Sequence, residues 1–263
     1  MPELPEVETF KRYLDATSLH QRITGVDVES AYVLKGVSTR SLARQLKARR
    51  FESSRRHGKH LFVRADGELW LRLHFGMTGS LRYFKREEAP PKHTRVLFVF
   101  ANANCLAFED QRKFGEIGLL KDVDEFLKKR ALGPDALDIS LSRFRQIFET
   151  YRGAVKAILL NQNLIAGIGN IYADEILFRA RLHPATEISR VGDKALTKLF
   201  RAMQYILRKA IAARGDARRM PKSWLLPQRE KHGKCPHCGR ELKLSRIGGR
   251  TAWFCAHCQR KLS

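Results

Sequence analysis

The chain has 263 residues, 43% of them hydrophobic, enough to bury a core and too apolar for a disordered polymer. Its 50 Lys+Arg against 27 Asp+Glu leave a formal net charge of +23, which points to a polyanionic partner, nucleic acid before an anionic membrane surface. No apolar run approaches the roughly 20 residues of a bilayer crossing, and the acidic start lacks the segments of a secretory leader, so a cytoplasmic protein without a membrane partner is expected.

The opening "MPELPEVETF" is unusual for so basic a chain, because Glu3, Glu6 and Glu8 precede any base. Val7, Phe10 and Leu14 recur at helical spacing, and Pro5 suits a helix start. Glu6 and Glu8 then lie near the positive end of that helix. Removal of Met1 would make Pro2 the N-terminal residue, with a secondary amine whose pKa is near that of an α-amino group, about 7.7–8.0. Such an amine can attack C1′ of a sugar and form an iminium that stays cationic, an electron sink for expelling phosphate. Glu3 stands beside it as a proton shuttle.

From residue 22 to 120 the pattern is strand-like. Hairpins are expected around Asp66-Gly67 and around Asn102–Asn104. Three stretches here carry candidate chemistry. Lys59 precedes a strand in the basic run "RRHGKHLFV"; Met77 lies in the Gly-rich "HFGMTGSL"; Arg112 and Phe114 flank Lys113 in "EDQRKFGE". Exposed Met, Arg and Phe side chains suit insertion into a base stack. Cys105, in "ANANCLAF", reads as a buried small hydrophobe.

Gly133-Pro134 marks a boundary, and helical periodicity follows near 141–151, 154–162, 171–180 and 187–213. Val191, Leu196, Leu199, Met203, Ile206 and Leu207 form a core stripe on the last. In "NLIAGIGNIYADEILF" the glycines Gly167 and Gly169 make a tight loop, and Asn170 is expected to cap the next helix and leave backbone N–H groups for a phosphate. Cys235-x2-Cys238 and Cys255-x2-Cys258, separated by 16 residues, have the spacing of a closed, structural four-thiolate Zn2+ site. The segment between them reads as a hairpin turning at Gly248-Gly249, with Arg246 and Arg250 at its tip.

Taken together, "PELPEVET", "GKHLFV", "LHFGMTGSL", "DQRKFG", "NQNLIAGIGNIYADEILFRARLHP" and the terminal cysteine pairs resemble the formamidopyrimidine-DNA glycosylase/endonuclease VIII family of base-excision repair enzymes over nearly the whole chain. The resemblance implies an α+β protein with an N-terminal β-sandwich catalytic domain with a flanking helix (1–130). A helix–two-turns–helix domain (131–225) and a zinc finger (226–263) would follow, with damaged or abasic duplex DNA across the interdomain cleft. It implies Pro2 as Schiff-base nucleophile, Glu3 as acid/base, Lys59 for β-elimination and Arg250 for phosphate contact and δ-elimination. Met77, Arg112 and Phe114 would fill the gap left by the flipped nucleotide, and His93, Arg112, Arg152, Lys156 and Asn170 would contact DNA.

Two features depart from the family pattern. The segment "GDARRMPKSWLLPQREKHGK" is short where the purine-specific branch has a loop over the base, and Asn161 stands where Asp is common. Oxidised purines such as 8-oxoguanine and formamidopyrimidines are the expected lesions, with oxidised pyrimidines as the alternative. A non-catalytic damage-binding protein and an RNA-binding zinc-ribbon protein are the competing classes. The first does not need intact Pro2, Glu3, Lys59 and Arg250, and the second leaves the N-terminal motif unexplained. Nothing encodes an oligomer interface, so a monomer is expected.

Overall fold

A computed structural model describes residues 1–261. The chain forms two compact units: Met1–Pro2 with Glu6–Arg130, and Glu3–Pro5 with Ala131–Ser263. In the first unit, helix α1 (Leu4–Ser18) buries Val7 and Leu14 and half-buries Phe10, as its spacing predicts. Eight strands follow: β1 (Ile23–Val28), β2 (Phe51–His57), β3 (His60–Ala65), β4 (Leu69–His74), β5 (Gly79–Lys85), β6 (Thr94–Phe100), β7 (Asn104–Asp110) and β8 (Glu116–Leu120). A short helix α2 (Thr39–Leu46) lies between β1 and β2, capped by the Ser38 hydroxyl.

The strands pair into two four-stranded antiparallel sheets, ordered β1-β6-β7-β5 and β2-β3-β4-β8. Phe98, Phe100 and Phe108 of one sheet and Leu61, Val63 and Leu73 of the other are buried in a single core. This is a β-sandwich, because one face of each sheet contributes to a single shared interior. The expected hairpins form, with Ala65 opposite Leu69 and Val99 opposite Cys105. Cys105 is buried among Phe84, Val99 and Ala107.

Helix α3 (Val123–Lys129), capped by Asp122, follows β8. The second unit contains α4 (Leu141–Thr150), α5 (Val155–Leu160), α6 (Asn170–Ala180) and α7 (Asp193–Ala212). Of the predicted stripe, Val191 precedes α7, which starts later than the expected segment, and the other five residues lie on it; all are buried with Phe144, Phe148 and Ile176 in one core. Helix α6 is buried on nearly every side, which explains why its sequence lacks a polar face. Strands β9 (Lys243–Ile247) and β10 (Arg250–Phe254) form the predicted hairpin, and Gly248 and Gly249 take the left-handed conformation its two-residue turn requires. No helix among the described residues is long and apolar enough to cross a membrane.

His60 and His74 face each other across β3 and β4 with ring centroids 4.8 Å apart. Burial pushes both imidazoles down: His60 well below its ordinary value, with His74 and Arg72 adding to the effect, and His74 to about 4, with Glu116 opposing the shift and Arg72 and Lys59 adding to it. A histidine depressed in the fold binds protons more tightly once unfolded, so its contribution to stability is present above about pH 6.5 and is lost as pH falls through about 4. For His74 this is on the order of 3 kcal/mol. Urea titrations of the wild type and His74→Gln between pH 7 and 4 are expected to show a steeper loss in the wild type.

Candidate active site and nucleic-acid interface

The acidic opening has a structural partner far along the sequence. Glu3 is buried, and its carboxylate accepts hydrogen bonds from the backbone N–H groups of Gly169 (2.7 Å), Ile171 (2.9 Å) and Tyr172 (3.3 Å). These are the otherwise unpaired donors at the start of α6, where a negative charge meets the positive end of the helix dipole. The sequence-based expectation for this junction therefore needs correction. Asn170 is the first helical residue rather than the cap; Gly169 occupies the cap position without a side-chain bond, and Glu3 supplies the capping oxygens. Those N–H groups hold a carboxylate and are not left for a phosphate.

The two glycines allow this arrangement. A Cβ on Gly169 would collide with the Glu3 carboxylate, and one on Gly167 with the Leu4 side chain; Gly167 also has a φ of 113°. The Leu4 N–H donates to the Gly167 carbonyl (3.1 Å). Gln162 braces the loop, donating to the Leu160 and Ile168 carbonyls and accepting from Gly167 N–H. Asn161 closes a local turn by accepting from Asn163 N–H at 3.0 Å, a role Asn fills as well as Asp. The side-chain oxygen of Asn170 is buried without a hydrogen-bond partner among the described residues.

In the first unit, Lys59 occupies the two-residue turn between β2 and β3, after Gly58 in left-handed conformation. Arg56 steadies that turn: it donates to the Gly58 carbonyl (3.1 Å) and pairs with Glu8 (3.0 Å). Met77, Arg112 and Phe114 are all exposed on two loops, with the Arg112 guanidinium 4.9 Å from the Phe114 ring centroid. The loops are tied together by Asp110, a buried residue that sequence reading did not single out. Its carboxylate accepts from Thr78 Oγ1, Arg112 N–H and Gly115 N–H. His93 joins the same cluster through its carbonyl, which accepts from Asp110 N–H (3.0 Å).

At the far end of the chain, the sulfurs of Cys235, Cys238, Cys255 and Cys258 lie within 4.8 Å of one another. The Cys235–Cys258 and Cys238–Cys255 separations are 3.8 and 3.5 Å, close to the edge of about 3.8 Å in a tetrahedron of 2.3 Å Zn–S bonds. The site fits one structural Zn2+ with no open position. Buried Gln259 links it to the helical unit, accepting from Cys255 N–H and donating to the Leu182 carbonyl. Arg250 opens β10 with its side chain exposed and without a hydrogen-bond or ion-pair partner among the described residues, and Arg152 is exposed beyond α4.

Lys156 differs from expectation. Its side chain is wholly buried, so it cannot reach a phosphate; its ammonium contacts Asp174 (2.6 Å) and the Thr251 carbonyl (2.9 Å). Its place on the short helix α5, whose buried face also includes Val155, Ile158 and Leu159, turns it inward.

Comparison with known proteins gives this geometry a context. Residues 1–117 match the formamidopyrimidine-DNA glycosylase N-terminal domain, 131–222 its H2TH domain, and 233–260 a zinc finger found in FPG and IleRS. The chain belongs to the formamidopyrimidine-DNA glycosylase family. It is 35% identical to the formamidopyrimidine-DNA glycosylase of Syntrophomonas wolfei, with 98% of this chain and 100% of that one covered. It is 33% identical to that of Pelotomaculum thermopropionicum, covering 99% of each. The Lactococcus lactis Fpg in complex with a DNA containing N7-benzyl-Fapy-dG has a TM-score of 0.89 at 28% identity, covering 99% and 100%. A complex of the same Fpg with abasic-site DNA has a TM-score of 0.88 at 28% identity, covering 98% and 100%. As a member of this family the protein is a DNA glycosylase of base excision repair with abasic-site lyase activity.

Two outcomes follow for its scaffold. Chelation at high thiol-reagent concentration is expected to release one zinc per chain and abolish the β9–β10 hairpin, monitored by metal-sensitive dye and amide exchange; release of no zinc would contradict the four-thiolate site. Asp110→Ala takes the acceptor from Thr78 Oγ1–H and Gly115 N–H, while Arg112 N–H keeps Thr78 Oγ1, and is expected to cost about 2–4 kcal/mol in urea denaturation.

Proposed function

We propose that the protein excises oxidised bases from duplex DNA through a covalent imine at Pro2 and then cleaves the strand by β,δ-elimination. The supporting observation is Glu3. Its carboxylate is fixed on the α6 N-terminus by three backbone N–H groups, which anchors the peptide bonded directly to Pro2. An anchored amine gains reactivity because orientation lowers the entropic part of the barrier.

Once Met1 is removed, the Pro2 nitrogen attacks C1′ as the C1′–base bond breaks, and the departing base takes up a proton. Extrusion of the nucleotide precedes this, since a stacked base hides C1′. Once the amine has given up its N–H proton, the C1′–O4′ bond opens with O4′ taking up a proton, and the resulting Pro2–C1′ iminium draws electrons as a C2′ proton leaves and the 3′-phosphate is expelled. A second elimination releases the 5′-phosphate. Glu3 moves protons at the sugar, Lys59 assists the first elimination, and Arg250 neutralises the departing phosphate of the second. Met77, Arg112 and Phe114 fill the gap in the duplex, the Arg112–Phe114 stack acting as one wedge. His93, Arg152 and Asn170 hold the backbone or opposite strand.

The protein acts as a monomer in the cytoplasm on damaged or abasic duplex DNA, without a membrane partner. Oxidised purines are its principal lesions. The segment after α7 favours a range that extends to oxidised pyrimidines: Trp224 and Leu225 are buried, and the N–H groups of Leu225 and Leu226 donate to Glu175 (3.1 and 2.9 Å). That pinning leaves little chain to fold over a purine.

Borohydride trapping on duplexes carrying an abasic site, 8-oxoguanine or dihydrouracil tests both parts. A covalent adduct mapped to Pro2 by mass spectrometry is expected on all three. Pro2→Glu, which retains Met1, is expected to reduce it at least about 100-fold. No adduct despite tight binding would make the protein a damage-recognition factor, and an adduct on 8-oxoguanine without one on dihydrouracil would restrict it to purines.

A further inference from the structure

The outer edge of the zinc hairpin is held by charged side chains that the reaction above does not use. Among the described residues β10 pairs with no strand except β9, so the backbone groups on its other edge need partners from outside the sheet. Thr251 and Trp253, two residues apart, point to that edge. The Thr251 carbonyl accepts from Lys156 Nζ (2.9 Å), and Trp253 N–H donates to Asp174 Oδ2 (3.1 Å). Asp174 also holds Lys156 through Oδ1 (2.6 Å) and Arg229 through Oδ2 (3.1 Å). Both Lys156 and Asp174 side chains are fully buried, and Arg229 is nearly so.

Burial opposes this arrangement, pushing the Asp174 carboxyl up and the Lys156 ammonium down, while their mutual attraction opposes both shifts. Buried ion pairs of this kind seldom stabilise more than apolar side chains of the same volume, so their distinctive contribution is geometric. Here the geometry concerns Arg250. It is bonded directly to Thr251, whose carbonyl is gripped, and the turn preceding it backs onto α5, where a Cβ on Gly248 would come within 3.2 Å of Ala157. Asp174 sits on α6 just beyond the turn that binds Glu3, about 6 Å along the axis from Asn170. One rigid helix thus grips the carboxylate next to Pro2 and the strand that begins with Arg250.

We propose that Asp174 is a positioning residue for the second phosphate elimination, fixing the β10 edge through Lys156 and Trp253 so that Arg250 is held ready for the departing phosphate. This rests on the role given to Arg250 above. A displacement of about 1 Å can cost up to about 100-fold in rate, and in that reading only the second elimination uses Arg250.

Single-turnover cleavage of an abasic duplex by the zinc-loaded full chain separates the two steps on a gel. Asp174→Asn is expected to raise the ratio of β- to β,δ-product at least about tenfold, with zinc content and trapping at Pro2 retained. Arg250→Ala should give the same signature. If Asp174→Asn does not fold, the double variant Lys156→Met/Asp174→Leu removes both charges together, and the same shift is expected because both edge bonds are gone. A ratio unchanged in whichever variant folds, or equal slowing of both steps, overturns the role of Asp174. A wild type that stops at the β-product overturns the reading of Arg250 itself, and this inference with it.

Discussion

The carboxylate of Glu3 on the first turn of α6 is the constraint on which the second unit is organised. A helix N-terminus leaves backbone donors without partners, and a buried one must find them elsewhere. Here the answer comes from the other end of the chain, 166 residues away. The bond satisfies a buried charge and buried donors at once, so neither group can be removed without stranding the other. Two of the three acids that open a strongly basic protein are thereby explained. Glu3 closes a helix, and Glu8 neutralises Arg56 beneath the Lys59 turn.

Helix α6 then works as a ruler. Its first turn binds Glu3, Asp174 binds β10, Lys156 and Arg229, and Glu175 holds the segment that follows α7. Burial pushes the Glu175 carboxyl up to about 7 even though two backbone N–H groups favour its charged form. A helix carrying two buried carboxylates at adjacent positions is a poor choice for stability alone. It is a good one for holding a loop and a hairpin in fixed register, since buried charges have few alternative partners.

The first unit meets a related problem with loops. Exposed apolar side chains such as Met77 and Phe114 would normally be mobile on a Gly-rich turn. Asp110 restrains both loops from beneath, and Gly76 allows one backbone to pass against the other, where a Cβ would strike Phe114. A rigid base carrying exposed apolar tips suits a surface that must enter a nucleic-acid stack without collapsing onto its own core.

Much was legible in the sequence because its signals are local. Cysteine spacing determined the zinc knuckles; Asp66-Gly67 and Gly248-Gly249 determined hairpin turns; period-3.6 apolar residues determined the buried face of α7. Family motifs marked Pro2, Glu3, Lys59 and Arg250 as candidates. Only the tertiary structure decided who partners whom. Asn170 looked like a cap because propensity is a property of a residue alone, and the family resemblance marked Lys156 as a DNA contact. The structure gave the cap to Glu3 and buried Lys156 against Asp174, because those outcomes depend on which groups the fold brings together out of water. Asp110 and Asp174 carried no sequence signal for the same reason: a buried carboxylate is spelled like an exposed one, and its partners lie on other strands and helices.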